Sequence, residues 1–455
     1  MSVGPTPSLN FIGDTVGDVA PHSMSEMRGI NFASGNSPIT GTIRLGDFRN
    51  QTLTAAFVEQ AKIQASDNQD DDWFGYSVAI SGDGNTAIVG AYLEDTGFGE
   101  AGAAYIFTRS GTSWSEQQKI QALDKAATDM FAYSVAISND GNTAIVGAYL
   151  EDGNTGNVYD SAGAAYIFTR SGTTWSEQQK FEASDKQFND EFGCSVAISG
   201  DGNTAIVGAR FEDTGALNAG AAYIFTRSGT SWSEQQKIQA SYKTRDDYFG
   251  TSVAISEDGN TAIVGAHEDN VDDAGAAYIF TRSGTTWTQQ QKIQASDKQG
   301  NDEFGKSVAI SGDGNTAIVG ARLEDTGVTI GDAGAAYIFT RSGTSWSEQQ
   351  KIQASDKQNY DEFGQSVAIS GDGNTAIVGA YKEDSVGAAY IFTRSGTTWT
   401  QREKIQASDK QGNDQFGWST SISSDGNTAI VGANKEDTDY TDTGAAYIYQ
   451  ASYYT

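Results

Sequence analysis

The stretch FGYSVAISGDGNTAIVGAYLEDTG, Phe74 to Gly97, contains two apolar runs joined by an Asp-Gly turn and closes on a Glu-Asp pair. Runs rich in Val, Ile, Tyr and Phe, bounded by Gly and Asp, read as two antiparallel strands. The Phe that opens the stretch returns as Phe131, Phe192, Phe249, Phe304, Phe363 and Phe416, at intervals of 53 to 61 residues. Each copy carries two further strand-like runs, GAAYIFTR and TSWSEQQKIQAS in the first. Four strands per unit at this period define a propeller blade, so seven copies predict an all-β, seven-bladed β-propeller with four-stranded blades.

The second and third runs are apolar throughout, whereas the fourth, SWSEQQKIQ, is polar apart from a Trp and an Ile. Central strands are buried on both faces, while outer edges are wetted and guarded by charge. The strands are therefore expected in chain order from channel to rim, with Lys119 and its equivalents on the outer edge. The seventh copy stops after its third run, GAAYIYQASYYT. Ahead of the first blade, AAFVEQAKIQAS (Ala55 to Ser66) aligns with TSWSEQQKIQAL (Thr112 to Leu123). Residues 54–66 are thus expected to supply the outer strand of the last blade and close the ring. This assigns residues 54–455 to the propeller and residues 1–53 to an extended N-terminal arm.

The loops sort by face. The first-to-second and third-to-fourth turns, SGDGNT and TRSGT, are short and nearly identical. The second-to-third loops range from KEDSVGAAY to LEDGNTGNVYDSAGAAY and share the opposite face with inter-blade linkers such as SDKQGNDE. Variation and acid collect there, which makes that side the expected recognition face. Its candidates are the pairs Glu94 and Asp95, Glu151 and Asp152, Glu212 and Asp213, Glu268 and Asp269, Glu324 and Asp325, Glu383 and Asp384, and Glu436 and Asp437.

Composition narrows the partners. The 455 residues carry 59 acidic and 29 basic side chains, a formal charge of -30 that disfavours nucleic acid and anionic membranes. No run approaches membrane-spanning length, and no basic segment followed by an apolar one opens the sequence, so neither membrane insertion nor a classical signal peptide is expected. The single cysteine, Cys194, leaves no intrachain disulfide to form.

Carboxylates suit hard cations. Asp72, Asp129, Asp190, Asp247, Asp302, Asp361 and Asp414 each sit two residues before the repeated Phe, and calcium is the cofactor such a set would accept. The competing reading has them bonding turn backbone at the start of the strand. Within SGDGNT, Asp83 is expected to bond local backbone N–H groups while Gly84 supplies a positive φ. GYSVA resembles a nucleophile elbow, but it recurs in most blades, and His22 and His267 are the only histidines. No catalytic or cofactor-binding residue is therefore assigned, and the chain is expected not to be an enzyme. The tryptophans Trp114, Trp175, Trp232, Trp287, Trp346 and Trp399 are read as rim packing, with sugar stacking as the alternative. Arg109, Arg170, Arg227, Arg282, Arg341 and Arg394, each before a Ser-Gly turn, are expected to bond carbonyls or the acid of an adjacent blade.

The pattern FGxSVAIS followed by GNTAIVGA resembles FG-GAP repeats, the units of the integrin α-subunit propeller, and is most similar to their bacterial and viral relatives. The resemblance covers residues 54–455. In the integrin version the hairpin carries a calcium loop of the form D-x-D-x-D-G-x-x-D. Here it is shortened to SGDGNTA, with Thr86 where the last ligand should stand. Residues 1–53 contain SMSEMRG (Ser23 to Gly29) and RLGDFRN (Arg44 to Asn50), which resemble short segments in structural proteins of tailed phages and aquatic viruses. That resemblance implies a docking arm, with Glu26, Met27, Arg28, Asp47, Phe48 and Arg49 contacting other virion proteins. The expected function is a non-enzymatic virion attachment protein at the particle surface, its propeller binding a host protein or glycan. The alternative is a cellular extracellular adhesion or glycan-binding propeller, calcium-assisted.

Overall fold

The computed structural model describes residues 56–95, 97–152, 161–269, 273–325, 331–437 and 441–452. The docking-arm residues Glu26, Met27, Arg28, Asp47, Phe48 and Arg49 lie outside them. Glu59–Tyr449 form one compact unit, and Met1–Val58 with Gln450–Thr455 are assigned to a second. Of the second, only residues 56–58 and 450–452 are described, as the ends of two neighbouring strands of one sheet.

Seven four-stranded antiparallel sheets make up the fold, each in chain order from the innermost strand outward. Blade 1 runs Ser77–Ile80, Thr86–Ala91, Ala103–Ser110 and Ser113–Ile120. Blade 7 runs Phe416–Ile422, Thr428–Ala433 and Ala445–Ser452, and its fourth strand is Ala56–Ile63 from the other end of the chain. The chain-order and ring-closure expectations both hold. In the borrowed strand Lys62 bridges Glu436 and Asp409, each at 2.8 Å, as Lys119 in blade 1 bridges Glu94 and Asp67 at 2.7 Å. The lysines do lie on the outer strands, but their ammonium groups turn inward to these acids. A buried Glu one strand-pair away is a stronger draw than open water once hydrogen bonds complete the pair.

Each apolar core lies between two blades. Ile88, Ala104 and Ile106 of blade 1 cluster with Phe131, Val146, Tyr166 and Trp175 of blade 2. Four kinds of bond recur along this seam. The Gly of GAAY bridges the Phe of the next blade, as Gly102 does Phe131, and at the closure Gly444 bridges Phe74. Gly102 has φ +83, and an added Cβ would stand 2.1 Å from the Phe131 carbonyl oxygen, so only glycine fits there. The serine of the elbow-like motif donates across the seam: Ser77 to the Ala132 carbonyl and Ser419 to Gly75, both at 2.8 Å. At the rim, Trp175 Nε1 donates to Gln117 at 3.1 Å, and Gln118 exchanges two bonds with the Trp175 backbone. Trp175, Trp232, Trp287, Trp346 and Trp399 are buried, which fits rim packing. Arg170 likewise reaches Thr86 of the preceding blade at 3.3 Å, and Arg227 bonds the Gly229 carbonyl at 2.8 Å.

The fourth bond closes the hairpin end of the channel. Backbone N–H groups of Asn139, Gly200, Glu257, Gly312, Gly371 and Ser424 each donate to the next blade's carbonyl at 2.9 to 3.1 Å, and Asp83 completes the collar to Asn139 at 3.4 Å. The hairpins that carry it fold as expected: Asp83 accepts from Ser81 Oγ and the Asn85 N–H, and Gly84 has φ +67.

Candidate functional site

The acids of the loop face divide within each pair. Glu94, Glu151, Glu212, Glu324, Glu383 and Glu436 are buried, and each is bridged by a lysine of its own blade's outer strand. Blade 4 is shifted by one residue: Asp269 is the buried acid, paired to Lys292 at 2.8 Å, and Glu268 is half-buried. Outside blade 4, where Tyr242 stands at the linker position, the same lysines hold a linker aspartate, and the repeated tyrosine completes the group, as Tyr105 donates to Asp67 at 2.8 Å. Burial lowers the Lys119 ammonium, but its bonds to Asp67 and Glu94 more than offset this and leave it raised. These inner carboxylates therefore anchor the second-to-third loop. What each pair offers to a partner is its outer member, exposed at Asp95, Asp213, Asp384 and Asp437 and half-buried at Asp152 and Asp325.

Asp72, Asp129, Asp190, Asp247, Asp302, Asp361 and Asp414 are all buried, and each accepts the backbone N–H three residues earlier, as Asp72 does that of Gln69 at 2.7 Å. This is the turn-bonding role. Burial pushes Asp72, Asp129 and Asp190 up to about 7, and Asp302 and Asp414 to about 6, against the lowering effect of that bond. No group of three or more His, Cys, Asp or Glu arranged to hold a metal occurs among the described residues. A calcium ion would thus have to assemble its site around isolated aspartates.

The channel itself is where the blades cease to be alike. At the hairpin end, Ile198, Ile255, Ile310, Ile369 and Ile422 line a cavity of about 200 Å³ with Asn139, Glu257 and Ser424. Glu257 reaches across it to accept from Ser424 Oγ at 2.6 Å. At the loop end, three positions differ from copy to copy: the residue before the repeated Phe, the residue after the following Gly or Ala, and the residue after the second strand.

Blades 6, 7, 1 and 2 place rings there. Tyr381 meets Trp418 at 4.9 Å between centroids, Trp418 meets Tyr76 at 5.4 Å, Tyr76 meets Tyr133 at 5.0 Å, and Tyr133 meets Tyr149 at 4.2 Å. Trp418, Tyr76, Tyr133 and Tyr149 are half-buried. Blades 3 and 5 place charge. Arg210 stacks beside Tyr149 and pairs with Glu191 at 2.6 Å, while Arg322 pairs with Glu303 at 2.7 Å and Glu362 at 3.0 Å. Lys306, in blade 5 with Arg322, makes no salt bridge among the described residues; burial, then the Arg322 charge, pushes its ammonium down to about 8. His267 is buried, stacks on Tyr248 at 5.5 Å and is held neutral by burial and by Lys306.

Several polar atoms at these positions are buried without a hydrogen bond: both amide atoms of Asn434, Gln365 Oε1, His267 Nδ1 and Trp73 Nε1. Cys194 belongs to the same ring of positions, where burial pushes its thiol up to about 11, so it is not a reactive thiolate. This set was missed by reading the repeat for what it shares. The signal was present in the x of FGxS and in the residue after VGA, where near-identical copies disagree.

A closed, seven-bladed ring with a repeated frame and a varied channel mouth is a β-propeller consistent with a recognition or adhesion domain. The chain belongs to the FG-GAP repeat family: matches cover residues 57–107, 114–168, 175–225, 232–280, 287–339, 346–392 and 399–449. Each match begins on an outer strand and ends on the third strand of the next blade. The first therefore begins on the strand that blade 7 borrows.

Proposed function

We propose that this chain is a non-enzymatic attachment protein of a virus particle, docked through residues 1–53 and presenting the loop face of its propeller to a host protein or glycan. The observation that carries the recognition part is the separation of constant from variable positions. Residues that hold blade to blade repeat around the ring, while those at the loop-face mouth vary among the blades, as Tyr76, Cys194, Lys306 and Trp418 do at one position. The elbow-like serines are occupied as inter-blade donors, which leaves no nucleophile in that motif. The particle part rests on the resemblance of Ser23–Gly29 and Arg44–Asn50 to segments of virion proteins. Deleting residues 1–53 tests it: a folded ring that no longer enters particles is expected, and unchanged incorporation would overturn the docking role. An exported adhesion propeller, the competing reading, shares the recognition face and requires no such arm.

A further inference from the structure

The mouth of the channel on the loop face has the chemistry of a saccharide site, and the inference drawn from it rests on the recognition reading above. Three observations converge. First, Tyr381, Trp418, Tyr76, Tyr133 and Tyr149 form a continuous crescent over four blades, ring against ring at 4.2 to 5.4 Å. Rings of this kind offer apolar faces and polar edges, and half-burial leaves part of Trp418, Tyr76, Tyr133 and Tyr149 open, while Tyr381 backs Trp418 from within. A pyranose, with one flat C–H face and a rim of hydroxyls, is the matching shape.

Second, the sector opposite the crescent holds a cation with no direct ion pair. Arg210 is answered by Glu191, and Arg322 by Glu303 and Glu362, whereas Lys306 makes no salt bridge among the described residues and feels Glu303 and Glu268 only from farther off. A lysine without a direct carboxylate contact, beside two arginines, suits one negative charge on the ligand. It does not favour a multiply charged phosphate, which the glutamates and the overall charge of -30 would oppose.

Third, Asn434 is fully buried with neither amide atom bonded, and Gln365 Oε1 is likewise unpaired. Buried polar groups are almost always satisfied, so exceptions gathered at one end of one channel point to a hydrogen-bonding ligand or its bridging water. Pockets with aromatic walls and a few convergent polar groups are the usual form of a small-molecule site.

We propose that this mouth binds a carboxylated saccharide of the uronic-acid type, its ring face on the Trp418 and Tyr76 side and its carboxylate on Lys306. No bond is made or broken.

The test is calorimetric titration of the intact chain with three probes: glucuronate, glucose, which has the ring without the carboxylate, and acetate, which has the carboxylate without the ring. Glucuronate is expected to bind with a Kd on the order of 1 mM, a typical weak single-sugar affinity worth about -4 kcal/mol, and the other two at least about tenfold more weakly. Lys306→Gln should weaken glucuronate about tenfold at unchanged melting temperature, and Trp418→Phe, which keeps a ring, should weaken it less than Trp418→Ala. Equal binding of glucose, undiminished binding by Lys306→Gln, or no heat from glucuronate at concentrations well above that Kd would each overturn the proposal. If glucuronate fails while the intact chain still adheres to glycan- or protein-coated surfaces, this inference falls alone; if nothing adheres, the recognition reading falls with it.

Discussion

The two ends of the channel are built from the same seven strands and have opposite characters. At the hairpin end, backbone amides make the collar, and all six of its 2.9 to 3.1 Å bonds involve a glycine of the repeat on at least one side. At the loop end, a few residues along the same strands, side chains make the surface and the same position holds Tyr76, Cys194, Lys306 or Trp418 in different blades. The contrast teaches that closing the ring is a backbone task, which holds even where Asn139, Glu257 and Ser424 replace the repeated glycine, while recognition is a side-chain task that needs the repetition to be broken. Changes to the uniform elements should therefore cost stability, and changes at the mouth should cost binding.

The largest effect is expected from removing the borrowed strand. Deleting residues 1–66 takes Phe57, Ile63 and the Lys62 bridge from blade 7 and exposes the edge of Ala445–Ser452. A loss of more than about 5 kcal/mol, or failure to fold as a monomer, is expected, because two buried apolar side chains and a strand ladder go together. Deleting only residues 1–53 should leave the denaturation midpoint near its starting value. Equal midpoints for the two truncations would contradict the closure.

Next comes Lys237→Ala. It leaves Glu212, whose side chain is fully buried, with Gln239 but without its cation. A buried carboxylate stripped of its partner costs roughly 3 kcal/mol, read from urea unfolding. The corresponding change at the mouth, Lys306→Gln, removes no ion pair among the described residues and should cost little stability.

Acidification should raise stability. In the folded chain Asp72, Asp129 and Asp190 keep their protons up to about pH 7, and Asp302 and Asp414 up to about 6. An unfolded aspartate loses its proton near about 3.9. The native state therefore binds more protons than the unfolded state across that window, and stability falls as pH rises from about 4 to 7. Thermal melts at pH 5 should lie above those at pH 8, and Asp190→Asn should flatten the difference. Aspartates such as Asp67 and Asp185, whose lysine and tyrosine partners hold them low, lose their contribution only as pH falls below about 4.

The smallest expected effect is that of Ser307→Ala. It removes one donor to the Gly364 carbonyl across a blade seam, worth about 1 kcal/mol, and leaves binding untouched. Any loss of a binding activity from this change would revive a chemical role for the serine.

Most of the fold was legible in the sequence because a propeller is written as a period. Phe74 and its six echoes set the blade count, and the alignment of Ala55–Ser66 with Thr112–Leu123 showed how the ring closes. The Glu-Asp pairs were harder to read. Two adjacent acids look equally solvated in sequence, but the inner one of each lies within reach of a lysine two strands along the blade, a distance no local pattern reports. The channel mouth was hidden by the same regularity that revealed the blades. Tyr76, Lys306 and Trp418 occupy one position of the repeat, and reading that position as filler discards the residues that differ for a reason.

Hydrogen exchange on the intact chain, with and without glucuronate, tests the location of recognition most directly. Slowed exchange is expected in segments 73–77, 303–307 and 415–419, at the loop-end starts of the inner strands, with the collar amides of Gly200, Gly312 and Gly371 and the rim strands unchanged. Protection confined to the rim or the collar, or absent everywhere while the chain still adheres to its target surface, would contradict the assignment of recognition to the channel mouth.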